Sequence, residues 1–380
     1  MDIIEGELLA TFTRTNILDL DIAHMSETTE SDNTVSARER RDTIAKMSEQ
    51  ELNNEISSLK HLKDLDIASA TKRLTMQQRM RLKRLILTYN RLWDTTPKQV
   101  PTTVQPCSIQ LCDKVKRFEH QARYTQLNPN SQKQLRDLIE TKLKRGVIEP
   151  STSACSSSVL LVPKPNGGVR FCIDYRALNK AIKNDAYTLP TVSENLANLS
   201  GNHVFSSLDM KEAFWNVPLT QESKELTAFR TPDGLYMYKR MPMGLKTASA
   251  VFCRYIDKVL GDLKWASILV YIDDLLVATP TFDEHASLLE KLFERLNAAN
   301  ITLGAKKCFI ARPEVSFLGH VVSAKGLEPQ PDKVKAIYAL DTSKMHTPKD
   351  LKSALGIMGY YRRFIANYAA IAEPLRKRPF

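Results

Sequence analysis

Residues 268–278 read ILVYIDDLLVA, and this stretch decides the fold class of the 380-residue chain. The apolar run ILVY lies just before Asp273 and Asp274, and the apolar run LLVA begins directly after them. Runs of this length and composition predict two buried strands, so the twin aspartates lie in a rigid turn at the end of a sheet. Because aspartate is also common in solvent-exposed turns, this segment alone leaves a metal site and a polar hairpin equally open.

A second segment adds a third aspartate. Residues 204–208 read VFSSL and predict a strand, and Asp209 follows it directly. Burial of a carboxylate beside a strand is costly and neighbouring carboxylates repel one another, so such a cluster favours divalent cations that neutralise it. Hard oxygen ligands of this kind suit Mg²⁺ or Mn²⁺. Two such ions about 3.5–4 Å apart form the device that many enzymes use for in-line phosphoryl transfer.

The charge of the chain is unevenly distributed. Its net charge is +11, with 54 Lys and Arg against 43 Asp and Glu. Residues 1–60 carry a net charge of −7, so residues 61–380 carry +18. A basic body indicates a polyanionic partner, with nucleic acid as the first candidate, although charge alone does not exclude a merely solubilising surface.

The cysteines and the N-terminus bear on structural zinc and on the cell compartment. The six cysteines form no CxxC pair and no histidine stands at zinc-finger spacing, so a structural zinc site is not predicted. The chain begins with MDIIE, which lacks the basic start of a signal peptide, and its most apolar stretch contains two aspartates. We therefore expect an intracellular protein, cytoplasmic or nuclear, with reduced thiols and no transmembrane segment.

The N-terminal part predicts a weakly ordered leader. Residues 26–43 are polar and charged, which is typical of disorder. We therefore assign residues 1–73 to an acidic, weakly ordered leader, with a helix expected within 47–63. Residues 74–120 are expected to hold an amphipathic helix over 75–93 and then a proline-containing connector. The apolar face of that helix indicates docking on the body rather than a dedicated nucleic-acid helix.

The rest of the chain mixes strands and helices. Helices are predicted at residues 131–145 and 283–299, and mainly helical structure from Asp332 onward, with breaks near Thr347 and Gly356. Strands are predicted at residues 159–162, 169–173, 204–208, 236–239, 268–271 and 275–278, and hairpins across 163–168 and 315–322. This order indicates an α+β body followed by a helical subdomain.

Several motifs occur in a fixed order along the chain. They are VLLVPKPNGGVRFCIDYRALNK from Val159, LDMKEAF from Leu208, TAFRTPDGLYMYKRMPMGLKTASAVF from Thr227, LVYIDDLLVA from Leu269, FLGHVVSAKGL from Phe317 and ALGIMGYYRRFI from Ala354. On these motifs the span 121–375 resembles the polymerase region of gypsy-type LTR retrotransposon Pol polyproteins, which are relatives of retroviral reverse transcriptases. Several motifs in the family's order are far more specific than any one of them alone.

The resemblance implies an α+β, right-hand polymerase fold preceded by the partly disordered leader. Residues 121–325 would form the fingers and palm, and residues 326–380 a helical thumb that stops before the connection and RNase H domains of the relatives. It further implies an RNA-directed DNA polymerase, a nucleotidyltransferase that adds dNTPs to the 3′-hydroxyl of a primer on an RNA or DNA template. The implied cofactor is Mg²⁺ or Mn²⁺, with two ions per site.

The resemblance also implies roles for individual residues. Asp209, Asp273 and Asp274 would be the catalytic, metal-binding carboxylates, with the backbone of Met210 as a further ligand. The residues implied to bind the incoming nucleotide are Lys164, Arg170, Phe214 and Met243, and those implied to seat the primer are Tyr271, Leu318, Gly319 and His320. Phe214 stands where the family carries an aromatic ring that collides with a ribose 2′-hydroxyl, whereas without the resemblance it would be interpreted as a core phenylalanine.

Two alternatives stay open. Met243, Ser249 and Cys253 depart from the family's usual residues beside the site, and the sequence stops before the RNase H region of its relatives. A catalytically impaired, nucleic-acid-binding remnant of a Pol protein is therefore one alternative. An RNA-dependent RNA polymerase, which shares the palm chemistry, is the other, and Phe214 argues against it because such enzymes need room for the 2′-hydroxyl.

Overall fold

The structure is a computed structural model that describes residues 34–115, 118–122, 127–164, 168–187, 199, 201–265, 267–340 and 347–377. The chain divides into two compact units, Met1–Lys46 and Met47–Phe380. In the first unit, the described residues form helix α1 (Thr34–Lys46). The second unit holds the other described elements.

Three helices begin the second unit: α2 (Glu49–Ser58), α3 (Ile67–Thr71) and α4 (Met76–Thr88). The prediction of a weakly ordered leader is wrong for residues 47–73, because Leu52 of α2 and Ile67 of α3 are buried. The disorder expected over 26–43 is also wrong for residues 34–43, which lie in α1. The remainder of that prediction, residues 1–33, lies outside the described residues.

Ion pairs between distant residues are one reason why composition led to a wrong prediction of weak order for residues 47–73. Glu49 of α2 accepts Arg79 Nε at 3.1 Å and Lys83 Nζ at 2.7 Å, both from α4. The hydrogen bonds from Lys83 and then from Arg79 hold the pKa of the Glu49 carboxyl below its ordinary value. Glu49 is thus paired with a basic helix further along the chain, a partner that a local count of charges does not include.

The amphipathic helix predicted over 75–93 is confirmed as α4 followed by a 3₁₀ turn at Asn90–Leu92. A capping box starts α4, and its apolar face is buried, with Ile86 fully covered. Trp93 packs edge-on against Phe293, with ring centroids 5.5 Å apart. The helix is therefore docked on the body, as its pattern indicated.

A five-stranded sheet carries the first predicted hairpin. Its strands are β1 (Ile148–Pro150), β2 (Ser157–Pro163), β3 (Val169–Ile173), β5 (Phe229–Thr231) and β6 (Gly234–Tyr238), in the order β1-β6-β5-β2-β3. The accompanying helices are α5 (Pro129–Lys144), α6 (Arg176–Ala181) and α7 (Gln221–Leu226). β2 and β3 pair antiparallel, so the predicted hairpin is confirmed up to its tip, residues 165–167, which lies outside the described residues.

A four-stranded sheet carries the acidic segments. It consists of β4 (Val204–Asp209), β7 (Ile268–Tyr271), β8 (Asp274–Thr279) and β9 (Phe309–Arg312), in the order β7-β8-β4-β9. Helices α8 (Ala248–Leu260) and α9 (Phe282–Ala298) belong to the same region. The predicted strands at 204–208, 268–271 and 275–278 are confirmed, whereas β9 and α8 were not foreseen. Residues 275–278 are fully buried, as a central strand requires.

A three-stranded sheet and three α-helices complete the described part of the chain. The strands are β10 (Glu314–Phe317), β11 (His320–Ser323) and β12 (Gly326–Pro329), and the helices are α10 (Pro331–Tyr338), α11 (Pro348–Tyr360) and α12 (Tyr368–Lys377). The predicted boundary between the palm and the thumb, at residue 326, falls inside this sheet, because β12 begins at Gly326 and pairs with β11. The predicted break near Gly356 is wrong, since α11 continues through it; a lone helical glycine costs only about 1 kcal/mol.

Helix length also bears on the membrane question. Among the described residues, none of the helices is both long enough and apolar enough to cross a lipid bilayer.

A buried histidine joins strands β4 and β8. His285 of α9 is fully buried, with Nε2 2.7 Å from Ser206 Oγ of β4 and Nδ1 2.9 Å from Thr279 Oγ1 of β8. Ser206 Oγ also accepts the Ala311 N–H, and Thr279 donates to Thr281 O. Because Thr279 Oγ1 uses its proton in the bond to Thr281 O, it accepts the proton of His285 Nδ1. In the neutral ring Nε2 is then unprotonated, and it accepts the Ser206 hydroxyl proton. Burial lowers the pKa of His285 to about 3, so the ring is neutral. Its two hydrogen bonds link β4, which ends at Asp209, to β8, which begins at Asp274.

We expect this histidine to make the stability of the protein fall in mild acid. Its folded pKa of about 3 lies below the ordinary 6.5, so below pH 6.5 the unfolded state binds the proton first. Between about pH 7.5 and about pH 5, His285 should lower the free energy of unfolding by about 2 kcal/mol. Urea denaturation followed by circular dichroism measures this difference.

Two variants isolate the contribution of His285. His285→Gln should be less stable than the wild type at neutral pH but should lose this part of the pH dependence. The matched control is His203→Gln, because His203 is exposed and should leave the pH dependence unchanged. The same acid sensitivity in His285→Gln as in the wild type would contradict the assignment.

Candidate active site

Three aspartates lie together at one end of the four-stranded sheet. Asp209, the last residue of β4, is the register partner of Asp274, the first residue of β8. Tyr271 closes β7 opposite Asp274, so Ile272 and Asp273 form a two-residue turn between the strands. The structure therefore brings together the three carboxylates that the sequence placed at two separate strand ends.

The turn between β7 and β8 has a strained backbone. Ile272 has a φ of 55°, a left-handed conformation that costs a β-branched residue on the order of 1–3 kcal/mol. Two contacts support it: the Met210 N–H donates to Asp273 O at 2.8 Å, and the backbone of Ile272 hydrogen-bonds to the thiol of Cys253 in α8. Cys253, which departs from the family's usual residue, thus lies buried beneath the turn and supports it.

Gly304 and Lys307 also belong to the site, and the sequence interpretation missed both. Lys307 Nζ donates to Asp209 Oδ1 at 2.7 Å, although 72% of the Lys307 side chain is exposed. The Gly304 N–H donates to Asp209 O at 2.8 Å, and a Cβ at Gly304 would lie 2.8 Å from Asp209 Oδ2. Any other residue at this position would displace the Asp209 carboxylate. An isolated bridge between Met210 and Leu303 brings this loop to the aspartates, and no local pattern reports such a pairing.

The electrostatics of the cluster follow from burial and crowding. Burial, followed by the neighbouring Asp273 and Asp209, raises the pKa of Asp274 to about 6. Burial and the charge of Asp209 also raise the pKa of Asp273. The hydrogen bond to Asp209 and the charges of the other two aspartates raise the pKa of Lys307. Near neutral pH the cluster therefore holds more negative charge than the single ammonium of Lys307 balances.

The donor set fits a hard divalent cation. Three carboxylates supply the oxygen ligands that Mg²⁺ and Mn²⁺ prefer, and the raised pKa values of Asp273 and Asp274 are those of a site that gains from added positive charge. Within the described residues, no three Asp, Glu, His or Cys side chains already stand in the arrangement of a formed metal site. Asp209 instead directs one oxygen to Lys307.

The predicted nucleotide-binding residues lie on separate elements. Lys164 and Arg170 are exposed on the β2–β3 hairpin, in a different sheet from the aspartates, and the Lys164 N–H donates to Gly168 O at 3.0 Å. Phe214 lies in the 3₁₀ helix Ala213–Asn216, just after Asp209, and is half-buried. Its ring makes a T-shaped contact with that of Phe252, with ring centroids 5.6 Å apart, which accounts for its core-like sequence context.

Lys142 of α5, which the sequence interpretation did not single out, joins these two elements. Its ammonium lies over the rings of Trp215 at 4.3 Å, Phe171 at 5.0 Å and Tyr238 at 5.9 Å. Burial lowers its pKa to about 8. Phe171 is the neighbour of Arg170 and Trp215 the neighbour of Phe214, so this cation–π contact ties the hairpin to the short helix.

Met243 occupies an exposed loop beside this region. Its side chain is 58% exposed, whereas Pro242 before it is buried. Asn179 of α6 holds the loop through two bonds: its Nδ2 donates to Gly244 O at 2.8 Å and its Oδ1 accepts the Lys246 N–H at 2.8 Å. The sequence placed Met243 beside the site but gave no indication that Asn179 supports it.

The predicted primer-binding residues are brought together. Leu318 and Gly319 form the turn between β10 and β11, and His320 follows as the first residue of β11. Tyr271 and Leu318 both pack against one buried cluster, whose members include Phe205, Leu276 and Phe317. The hairpin turn and the strand before the twin aspartates therefore share one core.

Acidic strand ends on an antiparallel sheet, a basic hairpin on a second sheet and a helical C-terminal part define the palm, fingers and thumb of the right-hand polymerase fold. Solved structures have the same fold. The chain matches the foamy viral protease-reverse transcriptase in complex with double-stranded DNA, with a TM-score of 0.74 and 28% identity over 83% of this chain and 54% of that one. A complex of that enzyme with an RNA/DNA hybrid matches with a TM-score of 0.71 and 28% identity, over 83% and 42% of the two chains. The predicted fold is confirmed.

Comparison of sequences gives the family. Residues 162–322 match the family model described as reverse transcriptase (RNA-dependent DNA polymerase). The chain is 37% identical over 244 residues to the retrovirus-related Pol polyprotein from transposon 297 of Drosophila melanogaster, covering 62% of this chain and 23% of the relative. It is 29% identical over 282 residues to the transposon Tf2-3 polyprotein of Schizosaccharomyces pombe, covering 74% and 21%. The chain therefore contains a reverse transcriptase region of the retrotransposon Pol type, with which the gypsy-type resemblance is consistent. It spans less than a quarter of the length of these curated relatives.

Proposed function

We propose that this chain is an RNA-directed DNA polymerase, which adds dNTPs to the 3′-hydroxyl of a primer on an RNA or DNA template. The observation that carries the proposal is the pairing of Asp209 with Asp274 at the end of the four-stranded sheet, with Asp273 in the adjoining turn. Half-buried, mutually repelling carboxylates destabilise a fold and are good ligands for the cations of phosphoryl transfer. The relatives' polymerase region supports the same reaction.

The three aspartates and the backbone of Met210 are proposed to hold two Mg²⁺ or Mn²⁺ ions. When bound, such ions activate the primer hydroxyl and stabilise the charge of the leaving diphosphate. Gly304 leaves room for the Asp209 carboxylate, and the Met210 N–H fixes the carbonyl of Asp273. Lys307 supplies positive charge beside Asp209 and is placed to keep the cluster folded before ions and substrate arrive.

The incoming nucleotide is proposed to lie between the hairpin and the palm. Lys164 and Arg170, exposed on the β2–β3 hairpin, offer an ammonium and a bidentate guanidinium for the triphosphate. Phe214 would place its half-buried ring against the sugar and exclude a 2′-hydroxyl. Met243, with its exposed side chain, would contact the nucleotide or the template base.

The primer terminus is proposed to lie against Tyr271 and the turn formed by Leu318 and Gly319, with His320 supporting that turn. The shared core beneath Tyr271 and Leu318 supports this role, because it holds the turn at a fixed distance from the twin aspartates. The proposed partners are thus a primed RNA or DNA template and dNTPs. An intracellular location, cytoplasmic or nuclear, completes the proposal and accords with the free cysteines of the described residues.

No contact of the described residues favours the alternative of an impaired remnant. Met243, Ser249 and Cys253 leave all three carboxylates in place, and Cys253 supports the turn that holds Asp273. The proposal therefore treats these departures as adjustments beside an intact acidic cluster.

The purified chain should extend a DNA primer on an RNA template in the presence of Mg²⁺ or Mn²⁺ and dNTPs. The double variant Asp273→Asn, Asp274→Asn should lower the extension rate by roughly a thousandfold, because it removes ligands that stabilise the charge of the transition state. The control is Asp283→Asn, since Asp283 is an exposed aspartate at the start of α9 and should leave the rate unchanged. Extension by the wild type no faster than by the double variant would refute the proposal.

Phe214 should determine the choice of sugar. Phe214→Ala should raise the incorporation of rNTPs relative to dNTPs by roughly tenfold or more, since it removes a steric clash rather than a binding contact. Phe214→Tyr keeps the ring and should keep the preference for dNTPs. The ratio of kcat/KM for matched dNTP and rNTP measures the effect independently of any loss of stability. A wild type that preferred rNTPs would favour an RNA polymerase instead.

A further inference from the structure

The turn between β10 and β11 has an unusual backbone for its sequence. Leu318 has a φ of 46° and Gly319 a φ of 72°, so both central residues of the two-residue turn are left-handed. Such turns match the twist of the strands, but glycine or asparagine normally occupies their first position. A leucine there costs on the order of 1 kcal/mol and requires support from its surroundings.

That support comes from two tyrosine hydroxyls at the C-terminal end of α11. The Tyr360 hydroxyl donates to Leu318 O at 2.6 Å, and the Tyr361 hydroxyl donates to Gly319 O at 2.9 Å. The Gln330 N–H also donates to Gly319 O, at 3.1 Å. A Cβ at Gly319 would lie 3.0 Å from the Tyr361 hydroxyl, so another side chain at the second turn position would press on the group that donates to Gly319 O.

A buried histidine packs the same tyrosines against the hairpin. His320 is 3% exposed, and its Nδ1 lies 2.8 Å from Leu318 O. Its ring lies 5.4 Å from that of Tyr360, 5.6 Å from that of Tyr361 and 5.6 Å from that of Phe364. Because Leu318 O accepts from Nδ1, that nitrogen carries a proton, and the three aromatic rings pack around the imidazole that donates it.

Tyr360 also lies near the strand that leads into the twin aspartates. The hydroxyl of Tyr360 has a raised pKa, caused first by burial and then by the neighbouring hydroxyls of Tyr361 and Tyr271. Tyr271 and Leu318 share the buried cluster described above. One helix end of the thumb therefore contacts the hairpin turn, and that turn shares a buried core with Tyr271, which stands two positions before Asp273.

We propose that Tyr360 and Tyr361 are positioning residues, whose hydroxyls join the thumb to the Leu318–Gly319 turn and so set where the primer terminus lies relative to Asp273 and Asp274. This inference rests on the proposed polymerase function. The tyrosine bonds to this half-buried turn form only while α11 is docked. They therefore tie the position of the turn to that of the thumb.

Tyrosine-to-phenylalanine variants test this role without disturbing the aromatic packing. Tyr360→Phe, Tyr361→Phe and their double variant lose only the hydroxyls and keep the rings that contact His320. The matched control is Tyr368→Phe, which removes a hydroxyl bond of 3.0 Å to Leu355 O within the thumb itself. Each protein is assayed for single-nucleotide incorporation, for binding of the primed template and for the fluorescence of a base analogue at the primer 3′ end.

The double variant should lower the incorporation rate at saturating dNTP by roughly tenfold, the scale of two neutral hydrogen bonds. The KM for dNTP should change by less than about twofold, because no nucleotide contact is altered. The fluorescent primer end should become more mobile on the bound duplex. Tyr368→Phe should behave as the wild type.

The outcomes separate this inference from the proposed function. A double variant with wild-type rate and primer fluorescence, or a Tyr368→Phe variant with an equal loss, would overturn the positioning role. A wild type that bound the primed template but did not extend it would refute the proposed function, and the fluorescence of the primer end would still decide the role of the tyrosines. Failure of the wild type to bind the duplex would overturn both.

Discussion

Mutual repulsion among Asp209, Asp273 and Asp274 is the constraint on which the rest of the structure depends. The sheet register places Asp209 directly opposite Asp274, and burial raises the pKa of Asp274 to about 6. A protein selected only for stability would not keep three carboxylates at one sheet end. The fold tolerates them because fully buried strand residues 275–278 anchor β8 and because Lys307 adds one positive charge.

The surroundings of the cluster resist this repulsion through fixed polar contacts. The neutral ring of His285 joins β4 to β8, the strands that carry Asp209 and Asp274. The Met210 N–H and the Cys253 thiol hold the strained turn at Ile272. On the thumb side, tyrosine hydroxyls hold a second strained turn above the same buried core. Both turns keep an unfavourable backbone because the neighbouring elements leave no alternative.

The sequence predicted those parts of the fold whose signal is local. Strands at 204–208 and 268–271 follow from apolar runs, and ordered motifs identified the family. It failed where the signal lies far along the chain: within residues 47–73, Leu52 and Ile67 are buried and Glu49 pairs with Arg79 and Lys83 of α4, and composition reveals none of these contacts. In the site, the sequence supplied the carboxylates but missed Lys307, whose exposed side chain reaches Asp209 only after the Leu303 loop has paired with Met210.

The most direct test is the effect of Mg²⁺ on the free energy of unfolding at about pH 8. Mg²⁺ in excess should stabilise the wild type by about 1–3 kcal/mol, because it binds the folded carboxylate cluster. Ionised Asp274 has a raised folded pKa and so destabilises the folded state above pH 6. Asp274→Asn should therefore be more stable than the wild type without Mg²⁺, by about 1 kcal/mol after solvent screening, and should gain little from the ion. The exposed Asp113→Asn should match the wild type. Two results would contradict a cation site built on these carboxylates. Mg²⁺ could stabilise the wild type and Asp274→Asn equally, or it could stabilise neither protein.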